Sequence, residues 1–244
     1  GALGMNVGGT TANKVIWSSL DFERSLGTFL LGENFMAKFD ILEDLKWRGA
    51  INQETDEEGL RKYLAEHDDL ALYCGTDPTG DSLHIGHLIP FMILKRFQMA
   101  GYHPVILIGG GTGAIGDPSG RKTERTLQTA EQVKHNEEKL TAQMKKLFGT
   151  ENFEIRNNAE WLGKMNLLDF LRDYGKFFQV NNMINKDVVA SRLENGISFT
   201  EFSYQILQAI DFYHLNKDNG VQMQIGGSDQ WGNITAGIDL IHKL

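Results

Sequence analysis

The sequence predicts an α/β fold: a Rossmann-like parallel sheet flanked by helices, with a mostly helical insertion. Three observations predict it. The apolar run "LALYC" (Leu70 to Cys74) is of strand length, the helical stretch "HLIPFMILKRFQMAG" follows it, and a second apolar run, "PVILIGG" from Pro104 to Gly110, comes next. Strand, helix and strand in this order require a parallel crossover. Between the first strand and its helix lies "CGTDPTGDSLHIGH", Cys74 to His87, a polar glycine-containing junction where open α/β sheets bind ligands. A third strand-to-helix junction repeats the pattern, "VQMQI" running into "GGSDQWG".

The elements follow in chain order. "DILEDLKWR" reads as a helix ending at Gly49, with Ile41, Leu42 and Leu45 on one face. Thr55 followed by Glu58 reads as a capping box that opens a short helix carrying Leu60 and Leu64. The helix after the first strand closes at Gly101 and tolerates Pro90 only close to its first turn. Thr129 and Gln132 cap a long polar helix reaching about Phe148, and "FEIRNN" is a third strand. "NLLDFLRDYG" and "INKDVVASRLENG" are expected helices that end in glycine. Thr200 opens "EFSYQILQAIDFYHL", and "ITAGIDLIHKL" is the last helix. Residues 1–35 read as a leader or tag outside the native fold, with Met36 as the expected native start. They leave 36–244 as one Rossmann-like domain.

Composition narrows the classes. A chain of 244 residues with 41% hydrophobic and 23% charged residues can bury a real core. The net charge of -8 gives no chain-wide footprint for nucleic acid, although a local basic patch is compatible with it. A single cysteine excludes an internal disulfide and fits a reducing, cytoplasmic setting. No apolar run is long enough to span a bilayer, so no membrane partner is expected. Asn233-Ile-Thr matches a glycosylation acceptor, without meaning in a cytosolic chain.

The junction residues point to anion chemistry. A helix starting near Ile85 would aim unpaired backbone N–H groups and its positive end at the strand termini, which suits phosphate. Gly75, Gly80 and Gly86 would allow close approach of the backbone, and His84 and His87 could donate hydrogen bonds to phosphate oxygens. Two histidines alone leave a metal's coordination incomplete, so no metal site is expected. In the helix after Thr200, Tyr204, Gln208 and Asp211 fall at i, i+4 and i+7. They make a polar stripe beside the apolar face of Phe202, Ile206, Ala209, Ile210 and Tyr213, either lining a pocket or facing solvent. "GGTGAIGDPSGRKTER" places Asp117 among small residues, then Arg121, Lys122 and Arg125. It is a basic surface loop or a carboxylate and cations beside a cleft.

Taken together, "YCGTDPTGDSLHIGH", "GDPSGRKTERT", "GISFTEFSYQILQAIDF" and "QIGGSDQWGNITAG" resemble the catalytic domain of the bacterial tyrosyl-tRNA synthetases, a class I aminoacyl-tRNA synthetase family. "HIGH", His84 to His87, is the class I signature, and the resemblance runs from about Phe39 to Leu244. It implies a tyrosine–tRNA ligase that converts L-tyrosine and ATP to tyrosyl-adenylate and pyrophosphate, then loads tRNA(Tyr). It implies Mg2+ accompanying ATP with no protein-bound metal, and a homodimer with its interface between about Thr129 and Asn195. By the same resemblance His84, Gly86 and His87 hold ATP, and His84 and Thr79 stabilise the transferring phosphates. Gly75 and Asp77 belong to the ATP loop, and Cys74, Gly227 and Asp229 meet the ribose. Tyr73 and Asp211 read the phenolic hydroxyl, Asp117, Tyr204 and Gln208 hold the ammonium, and Gln230 lies near the carboxylate. Arg121 and Arg125 match mobile-loop cations that meet pyrophosphate.

One family feature is missing from the sequence: the lysine-rich KMSKS-type loop is expected beyond Leu244, together with the tRNA-binding region. "KDVVAS" at Lys186 is no substitute and reads as ordinary helix. A chain cut to the nucleotide-and-tyrosine half, of reduced activity, is the implication. Three rivals compete. A tryptophanyl-tRNA synthetase shares the fold but does not need Tyr73 with Asp211. A non-catalytic nucleotide- or RNA-binding module does not need His84, His87, Asp117 and Asp229. A dinucleotide oxidoreductase needs a G-x-G-x-x-G that does not follow the Leu70 strand.

Overall fold

The computed structural model describes residues 1–7, 39–119, 127–186, 189–190, 192 and 196–244. Its centre is a six-stranded sheet built from β1 (Leu3–Val7), β2 (Ile51–Glu54), β3 (Ala71–Thr76), β4 (His103–Ile108), β5 (Glu154–Asn157) and β6 (Met223–Gly227), in the order β2-β1-β6-β3-β4-β5. Every neighbouring pair is parallel except β1 with β2, so the expected parallel sheet carries one antiparallel edge. From β3 the chain steps outward through β4 to β5, then returns on the other side of β3 as β6. That reversal opens a crevice beyond the carboxyl ends of β3 and β6, where ligands bind in such sheets.

Alternation along the strands sorts the core into two layers. Leu72, Cys74, Ile106, Ile108, Met223 and Ile225 face one layer, packed by helices α1 (Ile41–Trp47), α3 (Ile85–Met99) and α4 (Ala130–Phe148). Tyr73, Val105 and Leu107 face the other, packed by α8 (Phe199–Asn219) and α9 (Trp231–Lys243). Both faces of the central strands are therefore buried, and their sequences read as continuous apolar runs.

Capping follows local chemistry, with two shifts from the expected positions. Thr129 and Gln132 form the capping box of α4 as read from the sequence. The second helix, α2 (Glu57–Glu66), is capped by Asp56, whose carboxylate accepts from Gly59 N–H. Thr55 is unavailable because its hydroxyl accepts from Gly4 N–H at 3.0 Å. Helix α8 is capped by Ser198, two residues ahead of the expected Thr200, which lies inside the helix. Pro90 sits in the second turn of α3, where it offers no N–H to the Gly86 carbonyl.

The insertion after β5 contains α5 (Ala159–Leu162), α6 (Leu167–Asp169) and α7 (Val180–Ile184). The helix expected over "NLLDFLRDYG" is broken. After α6 it widens into a π-turn over Phe170–Tyr174 and tightens to a 3-10 turn over Gly175–Phe177. "INKDVVASRLENG" lies partly outside the described residues. Within residues 1–35, read from the sequence as a leader or tag, Leu3–Val7 is an interior strand with Met5 and Val7 buried. A short strand covered on both faces lacks the period-two alternation that would reveal it. Residues 8–35 of that reading lie outside the described residues.

Candidate functional site

The crevice at the β3–β6 reversal holds a cavity of about 440 Å³. It is lined by Tyr73, Cys74, Gly75, Asp77, Thr79, His84, Gly86, His87, Asp117, Tyr204, Gln208, Asp211, Gly227, Asp229 and Gln230. Every site residue expected from the sequence is thus brought to one place, apart from Arg121 and Arg125, which lie outside the described residues. Gly80 does not line it, although Gly75 and Gly86 do. The cavity is graded by depth. Tyr73, Cys74, Tyr204 and Asp211 are buried, whereas His84, Gly86 and Asp229 are exposed at the mouth.

At the mouth, His84 caps α3 through its ring: Gly86 N–H donates to His84 Nδ1 at 3.1 Å. A backbone N–H can only donate, so Nδ1 must accept, and the neutral ring carries its proton on Nε2. That N–H is a donor at the positive end of a fifteen-residue helix. The His87 ring stacks on His84 with centroids 3.6 Å apart. Asp77, expected in the ATP loop, is turned inward. It accepts from the Thr112 hydroxyl at 2.6 Å and the Tyr204 hydroxyl at 2.8 Å. Glycine is required opposite it, because a Cβ on Gly109 would run into this carboxylate and lie 2.5 Å from the Thr112 oxygen.

Midway, three acceptors converge. Tyr204 gives its only proton to Asp77, so its oxygen presents lone pairs. Asp117 accepts from Ser119 N–H at 2.9 Å and from Gln230 Nε2 at 2.8 Å. Burial, opposed by those hydrogen bonds, pushes its carboxyl above the usual range. Gln208 Oε1 accepts from Asn233 at 2.9 Å. Gln230 spends its amide protons on Asp117 and, at 3.4 Å, on Asp229, so it bridges the middle of the cavity to its mouth.

At the bottom, Asp211 is 3% exposed and accepts from Asn158 Nδ2 at 2.9 Å and Trp161 Nε1 at 2.7 Å. Burial outweighs both bonds, and its carboxyl is pushed up to about 7. Tyr73 is 1% exposed, and its hydroxyl has no hydrogen-bond partner among the described residues. Burial, helped by Asp211, holds its phenol well above the usual value, so it is a donor at neutral pH. Burial also raises the Cys74 thiol to about 12, so it stays protonated. The stripe of Tyr204, Gln208 and Asp211 therefore lines a pocket and does not face solvent. The sequence reading missed Asn158, Trp161 and Thr112. "NNAEW" directly follows a strand end, the position where polar residues meet ligands, and that was the available signal.

Among the described residues, no group of three or more His, Cys, Asp or Glu side chains could hold a metal ion. An open α/β sheet with an anion-suited helix terminus above a polar-lined pocket is the architecture of a nucleotide-binding domain. The comparisons agree: the profile of the class I tRNA synthetases (W and Y) matches residues 65–244, and the chain belongs to that family. Its relatives include the tyrosine–tRNA ligases of Lactobacillus helveticus, 96% identical over 209 residues, and of Limosilactobacillus reuteri, 79% identical over 205. Those matches cover 86% and 84% of this chain, but only 50% and 49% of the relatives, so the chain spans about half their length. A C-terminally truncated mitochondrial tyrosyl-tRNA synthetase of Aspergillus nidulans superposes with a TM-score of 0.74 at 35% identity. That match covers 82% of this chain and 60% of that one.

Proposed function

We propose that residues 36–244 form the tyrosine- and ATP-binding half of a tyrosine–tRNA ligase. The observation that carries this reading is the buried hydroxyl of Tyr73, which has no hydrogen-bond partner among the described residues and belongs to a residue lining the same cavity as Asp211. An unsatisfied buried hydroxyl costs about 1–3 kcal/mol, which phenylalanine at this position would avoid. A phenol bound between them satisfies both: it donates to Asp211 and accepts from Tyr73. Asp117, Tyr204 and Gln208 take the ammonium as three acceptors. The tyrosine carboxylate then attacks the α-phosphorus of ATP in line, and pyrophosphate leaves. No side chain acts as nucleophile, so positioning and charge stabilisation supply the rate. His84 Nε2–H and Thr79 face the developing phosphate charge, His87 and Gly86 complete the anion site, and Arg121 and Arg125 meet pyrophosphate. Cys74, Gly227 and Asp229 hold the ribose, and Gln230 links the ribose side to the ammonium side. Mg2+ arrives with ATP, held by phosphate oxygens. Transfer to tRNA(Tyr) belongs to the whole protein, in the cytoplasm. No helix among the described residues is long and apolar enough to cross a membrane.

Calorimetry with this chain tests the reading: tyrosine should bind, and phenylalanine and tryptophan should bind far more weakly. Preferential binding of tryptophan would transfer the chain to the other specificity of its family.

The reading includes a homodimer. Leu167, Leu168, Leu171 and Val180 in the broken insertion, and Phe199 at the start of α8, are each 49–72% exposed. Apolar side chains concentrated in one insertion suit an interface better than solvent. Light scattering should give twice the chain mass, and Leu167→Asp with Leu168→Asp should give the monomer. A monomeric parent chain would refute the interface.

A further inference from the structure

Trp161 donates its indole N–H to Asp211, and the face of the same indole lies on the imidazole of His214, with centroids 4.3 Å apart and planes at 24°. Asp211 and His214 are one turn apart on α8, so this helix grips the indole twice, by a hydrogen bond and by a stacked ring. The imidazole is itself oriented, its Nδ1 lying 3.1 Å from Asp218 Oδ2 a further turn along. Trp161 sits on α5, a four-residue helix too short to hold an orientation by itself. What fixes the indole is therefore what it touches.

We propose that His214 is a positioning residue for substrate selection. Stacked on Trp161, it keeps the indole N–H on Asp211 and so keeps that carboxylate turned toward the substrate phenol. The inference rests on the reading of the cavity as a tyrosine site. The charged groups around the imidazole are Asp218 and Lys217 on α8, Arg156 on β5 and Glu160 on α5. Arg156 and Glu160 pair with each other at 3.1 Å. With charges of both signs balanced around the ring, the stack depends on a flat side chain more than on its protonation, so phenylalanine should replace it.

The test measures tyrosine and ATP binding to the whole chain by calorimetry. His214→Ala should weaken tyrosine about three- to tenfold, the worth of one aromatic pair, and leave ATP affinity unchanged. His214→Phe should restore tyrosine binding, and Asp218→Asn, which keeps the ring, should change it less than His214→Ala. Unchanged tyrosine binding in His214→Ala, or equal losses for tyrosine and ATP, would overturn the inference alone. So would a His214→Phe variant as weak as the alanine one, a comparison with the parent chain that also decides the matter if His214→Ala does not fold. A parent chain that binds ATP but no tyrosine would overturn the reading of the cavity, and this inference with it.

Discussion

His84→Ala should slow tyrosyl-adenylate formation by about 10²–10³, the usual loss when one donor to developing charge is removed. Tyrosine affinity should stay nearly unchanged, because His84 is exposed at the mouth while Tyr73 and Asp211, the proposed phenol site, are buried below it. The imidazole is held in a fixed orientation. Gly86 N–H occupies Nδ1, which leaves Nε2–H as the ring's donor beside the start of α3. The same bond makes His84 a helix cap, and losing a cap costs about 1 kcal/mol of stability. His84→Asn separates the two roles: asparagine still caps, yet places its amide differently and should recover stability without recovering the rate. Pyrophosphate exchange checks the rate, in this chain and at the matching position of the full-length Lactobacillus helveticus relative. Equal losses in rate and in tyrosine binding would make His84 a structural residue.

What could be read from sequence was local. The capping box of α4, the strand-helix-strand order and the i, i+4, i+7 stripe of α8 depend on neighbours in the chain, and all three are present in the fold. The misreadings share the opposite property. Asp56 replaces Thr55 as a cap because Thr55 binds Gly4, 51 residues away. β1 is invisible because its partners, β2 and β6, and not its own pattern, make Leu3–Val7 a strand. Asn158 and Trp161 carry no motif, and their polar groups acquire a meaning only when packing sets them on Asp211, across 53 and 50 residues. The cavity's lining was legible because glycine-rich strand ends mark it, whereas the residues that orient its carboxylates were not.

On the proposed reading, selection of tyrosine over phenylalanine follows from which groups are left unpaired. Asp211 already accepts two protein hydrogen bonds, and a phenol adds a third to a carboxylate that burial has driven up to about 7. Tyr73 has a donor and no partner among the described residues. Phenylalanine would leave that hydroxyl unsatisfied and set a hydrocarbon edge against the carboxylate, a larger penalty than the contact it forgoes. Tyrosyl-tRNA synthetase is itself the reference case for such discrimination, about 10⁵-fold, and the magnitude is taken from it and not from these distances. On the proposed reading Asp117 lies one layer up, on the ammonium side, where both amino acids are identical. Tyr73→Phe should therefore narrow the ratio of tyrosine to phenylalanine activation, and should keep the fold, because it removes a buried hydroxyl with no hydrogen-bond partner among the described residues. Asp117→Ala should weaken both substrates together and hold the ratio near its starting value. Activation of each amino acid by the two variants, at the matching positions of the full-length relative, decides the assignment. A ratio that collapses with Asp117→Ala and survives Tyr73→Phe would mean that the amino end, and not the phenol, lies at the bottom of the cavity.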